Sequence, residues 1–283
     1  MNISHRSALQ HYHAAASQSA GRIISYYSTS FSWSTWLLTA PIRRDIQALY
    51  AVVRIADEIV DGAAAEAHTP DIRALLDGYE EQVVHAADAT FHTDPVLHAW
   101  AHTQRRCQIS EDHLRAFFAS MRRDLDPAPH DAASLQSYIH GSAEVIGLIC
   151  LDIFLVGHNP GEKDKATLAD GAQALGSAFQ KVNFLRDLAE DTDWLGRDYL
   201  RQLDADTKRQ WCAEIRTDLP GGRRAAVLLP PGARRGVLAA TGLFAELNER
   251  IDSVSVDELR SRRIRVPAPR KAQILAATLW RKA

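Results

Sequence analysis

At 283 residues the chain is near the upper limit of what one hydrophobic core supports. Hydrophobic residues make up 46% and charged residues 24%, the balance of a soluble globular protein, and a net charge of −2 excludes a general basic footprint for nucleic acid. Cys107, Cys150 and Cys212 are scattered and fit neither a disulfide framework nor a zinc spacing, so a reducing, cytoplasmic setting is expected.

The opening segment, "MNISHRSALQHYHAAASQSA", has no apolar core of signal-peptide type. Pro41 stands where a first helical turn begins, and "RRDIQALYAVVRIADEIVD" then runs with a 3.6-residue period. Further helical stretches are predicted over 70–88, 93–107, 111–124, 132–157, 162–194, 206–218, 232–253 and 268–281. Within them, "VIGLICLDIFLVG" is the most apolar run. It is about 13 residues long and interrupted by Asp152, against the roughly 20 that a bilayer requires, so no membrane anchor is expected. "HNPGEKDK" predicts a turn between two long helices, and "LPGGRR" and "LLPPGARR" predict breaks in the last third. There is neither sustained strand alternation nor a Gly-rich loop after a strand. The expectation is an all-α chain, 1–283 forming one domain.

Two of these helices carry an unexpected charge pattern. Arg54, Asp57 and Asp61 are three and four residues apart, so they share a face of a largely apolar helix. Far downstream, Gln180, Asn183, Asp187 and Asp191 form a polar stripe at the same spacings, with Arg186 beside it. One Asp-x-x-x-Asp pair is most often a solvated helix face. Two such helices, each with a neighbouring Arg, can instead face each other across a cavity, since buried carboxylates require cations or strong donors. Clustered carboxylates suit Mg²⁺, which takes oxygen ligands and retains waters and substrate phosphates. Zinc calls for His or Cys, and neither stripe contains them. Metal ions that in turn hold a diphosphate form a device for ionising an allylic C–O bond.

At this level the sequence resembles the squalene/phytoene synthase family, head-to-head prenyl transferases with an all-α isoprenoid-synthase fold. "YSTSF" resembles the Ser-x-Ser-Phe segment of the family and brings in Ser28 and Ser30. "ALYAVVRIADEIVD" resembles the first signature through Tyr50, Arg54, Asp57 and Asp61. "SMRRDL" gives Asp124, and "YIHGSAEVIG" matches at Tyr138 and Gly147, with Ser142 and Glu144 departing from the usual Val-Ala-Gly. "QKVNFLRDLAEDTDWLGRDYL" resembles the second signature through Gln180, Asn183, Arg186, Asp187, Asp191, Gly196, Arg197 and Tyr199. "RRIRVPAPRK" resembles the closing segment, with Arg263 the preferred match over Arg265. The form of these segments is most similar to actinobacterial-type phytoene synthases.

The resemblance implies a helical bundle around an apolar cavity and the condensation of two geranylgeranyl diphosphates to phytoene. It assigns Asp57, Asp61, Asp187 and Asp191 to Mg²⁺, with Mn²⁺ the alternative metal, and it expects no nicotinamide. Arg54, Arg186, Arg197 and Arg263 are assigned to diphosphate, whose oxygen pairs match a guanidinium fork. Ser28, Ser30, Tyr50, Gln180, Asn183 and Tyr199 join the substrate-binding set, and Tyr138 the catalytic one. For Ser28 and Ser30 ordinary helix capping is an equal alternative. Thr35 is small and leaves room for a long chain if it faces inward, whereas Trp36 would not. A prenyl substrate also implies peripheral contact with a membrane surface. The rival readings are a squalene or dehydrosqualene synthase using farnesyl diphosphate, a terpene cyclase, and a non-catalytic relative acting in assembly.

Overall fold

In a computed structural model, residues 7–125, 132–194 and 203–280 are described, without the side chains of 132–133 and 190–194. A capping box opens the first helix: the Ser7 hydroxyl accepts the Gln10 N–H while the Gln10 side chain accepts the Ser7 N–H. This helix, α1 (Ala8–Tyr27), lies ahead of the predicted stretches. Its buried positions are only Ala16, Ala20 and Ile24, so its apolar stripe is faint in the sequence. Ser28 caps α2 (Thr29–Thr35), and Pro41 sits in the first turn of α3 (Ala40–Val60). The short α4 (Ala63–Glu66) leads to α5 (Ile72–Val84), α6 (Pro95–Cys107) and α7 (Glu111–Arg123).

Next come α8 (Ala132–Ile139), a π-bulge over His140–Glu144 and α9 (Val145–Leu155), followed by the long α10 (Glu162–Trp194). The C-terminal part comprises α11 (Ala205–Ala226), α12 (Pro231–Asp252), α13 (Val256–Ser261) and α14 (Ala268–Trp280). No strand occurs among the described residues. The turn predicted at "HNPGEKDK" is present, with Gly157 in the left-handed region at φ 76°.

Two expectations are corrected. "LPGGRR" does not break the chain; Pro220 lies inside α11. Gly222 there meets Leu175 of α10 so closely that a Cβ would overlap its side chain, and this crossing holds the Pro-containing turn helical. The apolar run is also longer than 13 residues. Helix continues through the π-bulge, giving 22 residues over Ser134–Leu155, long and apolar enough to cross a membrane. Its packing is that of a core helix. A Cβ on Gly147 would collide with the Ala172 carbonyl oxygen, and one on Gly176 would stand 2.5 Å from that of Ala143, so α9 and α10 touch backbone to backbone.

Apolar side chains gather in two main clusters. Trp100, Phe117, Phe118, Leu114 and Ile149 centre the first, with α1, α3, α5, α6, α7 and α9 around them. Val182, Leu185, Ile215, Phe244 and Ile251 centre the second, among α10, α11, α12 and α13. Phe31 of α2 lies between them, its ring 6.3 Å from Tyr50 of α3 and 6.3 Å from Phe179 of α10, centre to centre.

Candidate active site

The last turns of α3 carry Tyr50, Arg54, Asp57 and Glu58, and Asp61 follows as the C-terminal cap, its N–H donating to the Asp57 carbonyl at 2.8 Å. The helix therefore ends with its carbonyls and the Asp57 and Asp61 carboxylates in one region, and each attracts cations. Arg54 is held on several sides. Its guanidinium lies 4.2 Å from the centre of the Tyr27 ring, its Nε donates to Glu58 Oε1 at 2.9 Å, and its Nη1 stands 3.9 Å from Asp57 Oδ2.

On α10, Gln180, Asn183, Arg186 and Asp187 are half-buried. Arg186 Nε donates to Asp187 Oδ1 at 2.7 Å, and Arg263, from the segment before α14, brings its Nε to 3.0 Å from the same oxygen. Arg263 rather than the exposed Arg265 thus meets the second stripe. Asn183 Oδ1 is buried with no hydrogen-bond partner among the described residues. Asp191 continues the stripe along the α10 backbone, but its side chain lies outside the described residues, as do Gly196, Arg197 and Tyr199 entirely.

Tyr50 shows that the two stripes share one electrostatic environment. Burial pushes its phenol up to about 12; Asp57 adds to that rise, while Arg54, the neighbouring Ser28 and Arg186 of α10 oppose it. One side chain therefore senses α2, α3 and α10 together. Beside it lies an aromatic wall. Phe31 is 6.3 Å from Tyr50 and 5.4 Å from Phe244, centre to centre, and Phe244 stacks on Phe179 at 3.9 Å.

The remaining candidates divide. Ser28 is the cap of α2, accepting the Phe31 N–H at 3.3 Å, so capping and a place beside Tyr50 coexist. Ser30 is half-buried in the first turn of α2. Tyr138 donates its hydroxyl to Asp124 Oδ2 at 3.0 Å and sets its ring 5.9 Å from that of Phe184 on α10. Thr35 is buried, whereas Trp36 is 70% exposed and lies under Arg43, so only the small residue faces inward. His140 pairs with Glu144 at 2.8 Å, on an exposed turn.

The sequence patterns did not single out Tyr27, Glu58 as a partner of Arg54, or Lys271. Lys271 Nζ donates to Thr29 Oγ1 at 2.7 Å, and burial, then Arg265 and Arg186, lower its affinity for protons. It is the last residue of the closing segment "RRIRVPAPRK", which is the signal that could have found it.

For a divalent metal, the relevant donors are the oxygens of Asp57, Asp61 and Asp187, a hard set that fits Mg²⁺. Among the described residues no three His, Cys, Asp or Glu side chains converge as a complete metal cage.

Residues 24–270 match the family model described as squalene/phytoene synthase. Phytoene synthase 1 of Solanum lycopersicum is 32% identical over 186 residues, covering 64% of this chain and 43% of that protein. Phytoene synthase of Mycobacterium tuberculosis is 30% identical over 205 residues, covering 70% of this chain and 63% of the relative. The chain thus spans less than two thirds of the length of these curated relatives. Among solved structures, a dehydrosqualene synthase in complex with ligand superposes with a TM-score of 0.78 at 20% identity, covering 96% of this chain and 98% of the other. Squalene synthase HpnC from Alicyclobacillus acidocaldarius does so with a TM-score of 0.71 at 21% identity, covering 90% and 97%. Their fold is the all-helical one described above.

Proposed function

This chain belongs to the squalene/phytoene synthase family, and from that premise we propose that it is a 15-cis-phytoene synthase, joining two geranylgeranyl diphosphates through prephytoene diphosphate. The observation that carries this reading is the aromatic wall of Phe31, Phe179 and Phe244, which links Tyr50 on the helix of Arg54 and Asp57 to the helix of Arg186 and Asp187. A diphosphate and an apolar chain require that combination: cations and carboxylates at one end, aromatic surface at the other. The long substrate is supported by the buried, small Thr35 and by the identities of about 30% to phytoene synthases.

In the proposed reaction, Arg54, Arg186 and Arg263 bind diphosphate oxygens, with Arg197 completing the set. Asp57, Asp61, Asp187 and Asp191 hold Mg²⁺ or Mn²⁺, which when bound supplies Lewis-acid neutralisation of the leaving diphosphate. The C1–O bond of one substrate breaks, its electron pair leaves with diphosphate, and the double bond of the second substrate attacks the allylic cation. Proton loss closes the cyclopropane. A second ionisation, rearrangement and deprotonation give phytoene and release the second diphosphate, so no nicotinamide is consumed. The aromatic faces of Phe31, Phe179 and Phe244 exclude water from the cations and stabilise them. Tyr138, oriented by Asp124, adds a further ring on the α10 side. Ser28, Ser30, Gln180, Asn183 and Tyr199 position the diphosphate ends. The enzyme acts in the cytoplasm, at the membrane surface from which a C20 chain is drawn.

Purified protein incubated with geranylgeranyl diphosphate and Mg²⁺ should yield C40 phytoene, and EDTA should abolish it. Metal-independent product, or none from folded protein, would overturn the proposal.

A further inference from the structure

Glu58 lies between the two aspartates of the first stripe, where a third carboxylate invites the role of metal ligand. Its geometry gives it other work. Oε1 accepts Arg54 Nε at 2.9 Å and also meets Nη2, so it occupies one whole edge of the guanidinium. Oε2 turns back to accept the Ala63 N–H at 3.0 Å, beyond the end of α3. Tyr27 stands beside Glu58 as well, and its ring covers the guanidinium face at 4.2 Å. Both carboxylate oxygens and one face and one edge of Arg54 are thereby committed. Arg54 Nη1 points elsewhere, to 3.9 Å from Asp57 Oδ2.

The turn after α3 is shaped around this arrangement. A Cβ on Gly62 would overlap Glu58 Oε2 and stand 2.9 Å from its Cδ. The folded-back carboxylate therefore requires glycine at that position. An ordinary i,i+4 surface pair has no such requirement, nor does it bind a backbone N–H of the next helix beside a tyrosine of α1.

We infer that Glu58 is a positioning residue: with Tyr27 and the Ala63 N–H it locks one edge and one face of Arg54, so that the Nη1 side is presented beside Asp57 to an incoming diphosphate, and Glu58 itself ligates no metal. The inference rests on the reading of this site as a prenyl diphosphate site, but its test does not depend on turnover. Inorganic diphosphate with Mg²⁺ is titrated calorimetrically into the full chain, and Mg²⁺ dependence is followed at saturating diphosphate. Glu58→Gln should weaken diphosphate binding roughly tenfold, the loss of a charge-assisted hydrogen-bond pair, with the half-saturating Mg²⁺ concentration unchanged. Gly62→Ala, which leaves the Glu58 chemistry intact and displaces its carboxylate, should weaken binding in the same direction. In an Arg54→Gln background, Glu58→Gln should add nothing further, since it acts through Arg54.

Circular dichroism checks that each variant is folded, and Gly62→Ala stands in if Glu58→Gln is not. A raised Mg²⁺ requirement at unchanged diphosphate affinity would make Glu58 a metal ligand and overturn the inference. Additive losses in the Arg54→Gln background, or wild-type affinity in both variants, would also overturn it. Failure of the phytoene reading would show separately, as absent C40 product from wild-type protein that still binds diphosphate.

Discussion

Asp57 and Asp187 meet their surroundings differently. Asp57 sits at the end of a helix, half-exposed, with Arg54 3.9 Å away, whereas Asp187 is clamped between Arg186 and Arg263. On the proposed reading, either loss removes a carboxylate that would hold the divalent cation neutralising the leaving diphosphate. Asp57→Asn and Asp187→Asn are each expected to lower kcat on the order of a hundredfold or more, with little change in thermal midpoint. Steady-state rates beside melting curves check this; full Mg²⁺-dependent turnover in either variant contradicts it. These aspartates and their arginines were legible because an i,i+4 pair repeated on a second helix is a local pattern. Tyr27, the lock by Glu58, and Lys271 were not. Tyr27 reaches Arg54 from α1, and Lys271 reaches Thr29 from α14, so neither partnership leaves a spacing that periodicity can detect.

Among the elements, α9 and α10 show what small residues do at a crossing. Gly176 lies against the Ala143 backbone, and Gly176→Ala should force the π-bulge away from α10, costing about 1–3 kcal/mol. Differential scanning calorimetry should record a lowered midpoint, and an unchanged one would mean that the crossing relaxes freely. A second element-level effect joins α1 to α6. His98 is fully buried, its Nδ1 accepts the His92 N–H at 3.3 Å, and its Nε2 lies 2.9 Å from His13 Nδ1. Burial, then His13, His92, Arg105 and His102, hold its pKa below the ordinary value. Protonation needs the nitrogen that accepts from His92, so the folded state favours neutral His98. In the unfolded chain it binds a proton near pH 6.5. Stability is therefore full above that pH and lost as pH falls below it. Midpoints between pH 8 and 5.5 should drop, and His98→Asn, which keeps an acceptor, should flatten the drop. An equal slope in the variant would assign the effect elsewhere.

Most elements were legible from the apolar period, from Pro41 at the start of α3, and from the turn at "HNPGEKDK". Two features were hidden for different reasons. The buried face of α1 is largely alanine, which gives little contrast to its polar neighbours, and the Pro-Gly-Gly of α11 reads as a break until Leu175 of α10 is seen packing against Gly222. Local punctuation lost there to a tertiary contact.

For the whole molecule, the all-helical fold followed from the absence of strand alternation, but the position of the site did not. It depends on contacts between segments far apart in the chain: Phe31 of α2 against Tyr50 of α3 and Phe179 of α10, and Arg263 against Asp187. On the proposed reading the site takes a C20 diphosphate beside the Phe31–Phe179–Phe244 wall, and the small, buried Thr35 favours the longer chain. The most direct measurement is a competition. Equimolar geranylgeranyl and farnesyl diphosphates are offered together with Mg²⁺, and the extracted hydrocarbons are resolved by mass. C40 phytoene is expected as the dominant product, and predominant C30 hydrocarbon from the same mixture would rule out the C20 assignment.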